Sequence, residues 1–352
     1  MNIARIIIIG LVLLATGCTT IGPQSVERDR FDYNSAISNS WKEQTLLNIV
    51  KIRYMDMPLF VDVASIVSGY TLQGTVNLAG TKYDGNTLPD FFTMGSSGTY
   101  TDRPTITYQP ITGQKFNKSF MTPIPPSAIL FLIQTGWPAD LIYKLTVDSV
   151  NGLRGKVSAG VNARQGDPKF SRIVQLMREI QKSGVVGMRI IKGQDNRDTT
   201  VMFFHRQNIP PEIDEARKEL GSLLGLQPGL QEAKVLYGLI PKDDTEIAML
   251  TRSMLQIMIE LASQFNVPEH HLAEQRTVPS LTGDSDDYLI RIKHSKEYPG
   301  DAFTTIRYRH YWFYIDDRDL LSKRTFAFLM ILFSIMETGG SEGLPLVTIP
   351  AG

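Results

Sequence analysis

"KFSRIVQLMREIQKSGVVGMRII", Lys169 to Ile191, changes its period once, and that change carries the fold class. Phe170, Ile173, Val174, Met177 and Ile180 recur at three- and four-residue steps, which lines one side of an α-helix. Gly184 is a stop signal, and the β-branched run "VVGMRII" behind it reads as a strand. Working outward toward the C-terminus, "TTVMFFHR" is a second strand with His205 near its end. "PPEIDEARKELGSLLGL" is a helix opened by prolines, and "EAKVLYGLI" is a strand. Thr245 to Gln264 reads as one long helix with Thr245 as its N-cap. Helix, strand, strand, helix, strand, helix with short connections predicts an α+β fold, with helices packed on mixed β-sheets.

Toward the N-terminus, Ile37, Trp41, Leu47, Val50 and Tyr54 predict a helix over Asn34–Tyr54. "LFVDVASIVSGYTLQGTVNLAG", residues 59–80, suits one or two strands. "GNTLPDFFTMGSSGTYTDRP", residues 85–104, reads as a loop, and "TITYQPITGQKF", residues 105–116, as strand, turn, strand. "PIPPSAILFLIQTG" predicts a short buried helix from about Ser127, and "DLIYKLTVDSVNGL" is open between helix and strand. These readings divide the body into subdomains over 31–160, 161–278 and 279–352.

In the last of these, "DYLIRIKHS" and "TTIRYRHYWFYI" alternate on either side of "EYPGD", whose Pro299-Gly300 pair is a turn signal. A hairpin in the register that gathers Ile290, Ile292, Ile306, Tyr308 and Trp312 also gathers Arg291, Lys293, Arg307 and Arg309. Such a basic strip would suit anionic lipid headgroups, a phosphorylated glycan or an acidic protein surface. The other reading is a solvated sheet face with its charges balanced locally. "FAFLMILFSIM", Phe326 to Met336, is too short for the roughly 20 apolar residues of a membrane span and predicts a buried helix. Asp316, Asp317 and Asp319 suit the positive end of its dipole, Gly339 and Gly340 its end, and "LPLVTIP" a final strand.

The first eighteen residues carry the address. "MNIAR" brings one positive charge, Ile6–Leu14 is apolar, and Ala15, Thr16 and Gly17 precede Cys18, the only cysteine of the 352 residues. That is the layout of a signal peptide. The stretch Leu14–Cys18 resembles the lipobox of bacterial lipoproteins. The resemblance implies cleavage between Gly17 and Cys18 and acylation of Cys18. Ala15 stands where that family usually has leucine. Thr19, rather than aspartate, follows the cysteine, which implies outer-membrane sorting with the body facing the periplasm. Residues 1–17 are then the signal peptide and 18–30 a lipidated tether. Further on, "SWKEQTLLNIVKIRY", "LIQTGWPADL" and "WFYIDDRDLLSKRTFAFLM" resemble Gram-negative envelope lipoproteins of unassigned function. That likeness implies no activity.

The chain holds equal numbers of basic and acidic side chains, 36 each, and the leader takes away only Arg5, so nothing in the charge balance suggests nucleic acid. Nucleophile-elbow, S-x-x-K, H-E-x-x-H and C-x-x-C motifs are absent, and no cofactor motif is present. "NGLRGKVS" has Val150 where a phosphate loop needs its first glycine. His270 and Glu274 lie one helical turn apart beside His271, but no third metal ligand is evident, and a solvated helix end explains them as well. The expectation is a lipid-anchored binding or scaffold component of an envelope assembly. The alternatives are an envelope hydrolase acting on peptidoglycan or lipid, and a small-ligand carrier.

Overall fold

A computed structural model describes residues 23–67, 70–81, 91–103, 105–159, 163–184, 186–192, 198–204, 209–280 and 288–336. The leader with Cys18, His205, Gly339, Gly340 and the expected strand "LPLVTIP" lie outside them. The fold is α+β. The chain divides into two units, Met1–Leu59 with Thr112–Gly339, and Phe60–Ile111 with Gly340–Gly352.

The first unit opens with helix α1 (Pro23–Arg53). It starts inside the stretch expected to be a tether, where proline at a helix start costs no hydrogen bond. Residues 30–40 are exposed apart from half-buried Tyr33 and Ile37, while Leu46, Ile49 and Val50 are fully buried. Asn48, also buried, exchanges hydrogen bonds with the Leu59 backbone and so holds the chain that leaves the helix.

The second unit contains β1 (Val61–Val67), β2 (Tyr70–Thr81), β3 (Phe91–Asp102) and β4 (Thr105–Pro110). β1 pairs antiparallel with β4, and β2 with β3. Val67 faces Thr105 and Tyr70 faces Asp102, three residues further on along both strands. The two pairs therefore share one register from Ser65 to Thr81, with a shift between Val63 and Ser65, and together make up a two-stranded ribbon. Most of the segment expected to be a loop, 85–104, is strand β3. Gly and Ser are poor strand formers, and their number hid the alternation beneath them.

Back in the first unit, residues 112–121 are helical, as α2 (Gly113–Phe116) and a π-helical turn (Asn117–Met121), not the expected second strand. Phe116 stacks on Phe120 there, a contact between residues four apart that a strand cannot make. Helices α3 (Pro126–Gln134) and α4 (Ala139–Thr146) follow. The ambiguous "DLIYKLTVDSVNGL" is both alternatives in turn. α4 runs directly into β5 (Val147–Val150), and Asn151-Gly152, both at positive φ, turns the chain into β6 (Leu153–Arg154). The candidate phosphate loop is thus a hairpin.

The 169–191 expectation holds: α5 (Pro168–Ser183) buries its apolar side, is capped by the Asp167 carboxylate and ends at left-handed Gly184. Then come β7 (Val186–Lys192), β8 (Asp198–Phe204), α6 (Pro211–Leu223) and β9 (Glu232–Tyr237). Thr245–Gln264 is not one helix. It divides into β10 (Glu246–Thr251) and α7 (Met254–Ser263), and the N-cap is Ser253, in a reciprocal capping box with Gln256. Periodicity alone cannot separate a buried strand from a buried helix. Here burial between two strands decides: the sheet order is β6-β5-β10-β9-β8-β7, with β9 and β10 parallel and every other pair antiparallel. This sheet joins strands from both sides of the expected boundary at residue 160, so that boundary does not exist.

After the short helix α8 (Glu269–Ala273) come β11 (Lys293–Ser295), β12 (Ala302–Tyr308), β13 (Tyr311–Asp316) and α9 (Leu320–Met336). The expected hairpin around "EYPGD" is corrected. "TTIRYRHYWFYI" itself folds back, with Arg309 and His310 both left-handed at its turn, and β11 pairs with β13 instead of β12. α9 is buried as expected. Asp319 accepts from the Ser322 N–H at its start, and Phe326, Phe328, Leu329 and Leu332 are enclosed. Rings from Phe303, Trp137 and Phe120 meet Phe326, Phe328 and Phe333. Among the described residues no helix is long and apolar enough to cross a membrane. Leu332→Asp places an unpaired carboxylate where the native side chain is wholly enclosed. It should destabilise the folded chain by several kcal/mol, roughly 3–5, in urea titration, whereas Leu332→Met should cost less than about 1.5 kcal/mol.

Candidate functional site

The four cations of the expected strip do not form one. Direct pairing puts Arg307 opposite Trp312, and Lys293 opposite Tyr314, so these two lie on one face of the three-stranded sheet. Trp312 lies with them, not with the core residues Ile306, Phe313 and Ile315. Lys293 is bound to Asp316 at 2.9 Å. Arg291 precedes the strand, and its guanidinium lies 4.0 Å from the centre of the Tyr288 ring. Arg309 sits in the turn, 4.9 Å over Tyr54, and reaches Asp56 at 3.4 Å. Turn geometry and internal carboxylates separate what strand alternation alone had grouped.

Arg309 belongs to a different cluster. Its Nε donates to the Tyr308 hydroxyl at 3.2 Å, and that hydroxyl in turn donates to Asp56. Tyr54, at the end of α1, meets His271 of α8 with its hydroxyl 2.6 Å from Nδ1, and packs against Tyr308 and Phe313. His271 is 1% exposed, so it is not the solvated helix end expected from its spacing. Burial, with His270 beside it, holds His271 below the ordinary histidine range, and burial pushes Tyr54 up to about 12. Met55, next to Tyr54, Gln275, just past α8, and Arg309 and His310, next to Tyr308, are all non-glycine residues at positive φ. Backbone strain of this kind persists only where the surroundings over-determine it. The cluster ties α1, α8 and the β12–β13 turn together. Among the described residues no group of three or more His, Cys, Asp or Glu could hold a metal ion.

A cavity of about 530 Å³ lies elsewhere in the first unit, where α4, α5, α7 and the loop after β6 meet. Its wall includes two buried charges. Arg252, 5% exposed, donates to the carbonyls of Lys144, Leu145 and Lys156. The first two close the end of α4, where carbonyls lack intrahelical partners. Glu260, equally buried, accepts the Ser158 N–H on both oxygens and Gln264 Nε2 on one. Burial works against the Arg252 charge, and Glu260 and Asp148 offset this. Asp148 in turn binds Arg164 at 2.7 Å. The loop can close because residue 166 is glycine: a Cβ there would come 2.8 Å from the Lys156 nitrogen, beside the bridge of Val157 to Arg164.

The Ser158 hydroxyl, buried in the same wall, has no hydrogen-bond partner among the described residues. Lys144, Lys156, Gln165 and Gln175 complete a polar lining against Phe170, Val174 and Leu289. Such a cavity can hold a small polar molecule by hydrogen bonds and charge. Among the described residues no histidine lines it. Sequence reasoning missed Arg252 and Glu260. Their signal was available, as two charges within the otherwise uncharged run Leu250–Gln264. The pairing of Tyr54 with His271, 217 residues apart, had no signal.

Comparison with protein-family models, with curated proteins and with solved structures finds no match to this chain.

Two outcomes test these assignments. Arg309→Ala loses its hydrogen bond and ring stacking and should cost about 1 kcal/mol of stability, while Arg307→Ala, exposed and without an ion pair to a described residue, should cost under about 0.5 kcal/mol in the same urea titration. Because His271 has a folded-state pKa below its ordinary 6.5, protonation favours the unfolded chain. Its contribution is complete above pH 6.5 and is lost as pH falls below that value. Thermal unfolding between pH 7.5 and 5 should show the loss, with a smaller slope in His271→Asn.

Proposed function

We propose that the chain is a lipid-anchored component of a Gram-negative outer-membrane assembly, attached through acylated Cys18, with a binding or scaffold role. The observation that carries this reading is the ribbon of the second unit. Thr71, Gln73–Asn77, Ala79, Gly80, Thr93, Gly95–Thr99, Arg103 and residues 105–110 are exposed, and Thr101 is half-buried. A two-stranded ribbon exposed at these positions is at best marginally stable in water, so a partner is needed to hold it. The solitary cysteine behind an apolar leader supports a membrane as the setting, since a lipoprotein cysteine with two or more acyl chains attaches stably.

A small-ligand carrier is the second reading, favoured by the cavity at Arg252, Glu260 and Ser158. Its lining is too polar for a lipid tail, so the ligand class is a small polar molecule. Cys18→Ser should abolish incorporation of labelled palmitate into the chain. A variant that still incorporates the label would overturn the anchor. Native mass spectrometry of the purified chain reads the carrier alternative directly, as a retained small-molecule mass.

A further inference from the structure

We propose that the ribbon 61–110 is a membrane-spanning β-hairpin, and that several copies of this chain set their ribbons edge to edge to close a water-filled transmembrane barrel. The proposal rests on the envelope reading above and names the partner that the reading leaves open: a second copy of the chain, in a lipid bilayer.

The register sorts the ribbon into two unlike faces. Directly paired residues share a face, so Leu72 with Tyr100, Val76 with Ser96, Leu78 with Met94 and Gly80 with Phe92 fall on one side. Ile66 and Ile106 continue that side into β1 and β4. The other side holds Thr71 with Thr101, Gln73 with Thr99, Thr75 with Ser97 and Asn77 with Gly95. One face is thus mainly apolar or small, ending at the Tyr70–Asp102 pair, and the other is mainly polar without charge, with Ala79 opposite Thr93 and Thr81 opposite Phe91 at its far end. Val76 is 56% exposed and Ile106 40%, so the apolar face is not turned into a core at these positions. Alternation of this kind, apolar toward lipid and polar toward a lumen, is the signature of a transmembrane barrel strand.

Charge and length agree with it. No charged residue occurs in 71–81 or in 91–101, whereas Lys82, Asp90, Asp102 and Arg103 stand just beyond their ends. β2 and β3 have 12 residues each. At roughly 3.4 Å per residue and a tilt near 45°, such a strand rises about 28 Å, close to the ~30 Å hydrocarbon core.

Closure requires copies. Inside hydrocarbon every backbone N–H and C=O must be paired, and a two-stranded ribbon leaves two edges open. The smallest transmembrane barrels have about eight strands, so at two strands per chain several copies are needed. Copies supply edges of identical length and pattern, and the polar faces then line one aqueous lumen.

The test uses the full-length acylated chain reconstituted into phosphatidylethanolamine–phosphatidylglycerol vesicles, with nitroxide labels placed singly at Gln73, Gly74, Thr75, Val76 and Asn77. A Cβ at Gly74 meets nothing within 4 Å, so a label there is tolerated. Labels at positions 74 and 76 should collide with oxygen and be shielded from an aqueous nickel chelate, with the reverse at 73, 75 and 77. Planar bilayers should show stepwise conductance. Val76→Asp should reduce conducting events at least about tenfold with the unfolding temperature of the detergent-solubilised chain unchanged, and Thr75→Asp should keep conductance and raise cation selectivity several-fold. Uniform water accessibility at all five positions overturns the barrel, as does one chain per membrane particle. Either result obtained while the acylated chain still recovers envelope proteins leaves the assembly reading standing. Recovery of the acylatable wild-type chain in the soluble fraction removes both.

Discussion

Arg252 carries a charge into the interior of the body, and the surrounding arrangement follows from the need to replace the water it gave up. Three carbonyls from two elements and the nearby carboxylates of Asp148 and Glu260 do so. The end of α4, the loop after β6 and the second turn of α7 must therefore meet at one place. Breaking such a set is far more costly than never having built it, because the remaining charge stays buried. The cavity beside it, with the Ser158 hydroxyl in its wall, is the space left where these elements meet.

The second unit follows the opposite rule. The six-stranded sheet of the first unit buries Val201, Met202, Ala233, Val235 and Ile247–Met249, and its stability comes from enclosure. The described side chains of the ribbon are exposed or half-buried, and its pairs keep one register apart from a shift between Val63 and Ser65. Threonine, serine and glycine on one face and leucine and valine on the other suit a ribbon that meets two solvents at once.

Aromatic side chains do the joining within the first unit. Tyr54, Tyr308, Tyr311, Phe313 and His271 meet across elements that are far apart in the chain. The left-handed turn at Arg309-His310 uses residues that ordinarily avoid positive φ, and the bonds from Tyr308 and Arg309 to Asp56 hold it in place. A turn of Asn-Gly would have formed without help but would not have tied the sheet to α1.

Local signals determined much of this protein. The period change at Gly184, the prolines that open α3 and α6, the length of the Phe326–Met336 run and the solitary Cys18 could be read directly, because each rests on backbone chemistry or on distance along the chain. They were sufficient for the α+β class and for the burial of α9. Tertiary structure decided the rest. Glu246–Thr251 is a strand because β5 and β9 flank it, although its apolar spacing suits a helix equally. Arg309 left the strip because a turn, rather than a strand, runs through it, and Lys293 is held by Asp316. The faces of the 61–110 ribbon were present in the sequence as alternation, but glycine and serine blurred it until pairing put Leu78 opposite Met94 and Thr75 opposite Ser97. Alternation states which residues share a face. Only pairing states which strands share it, and that depends on contacts whose energy no local window contains.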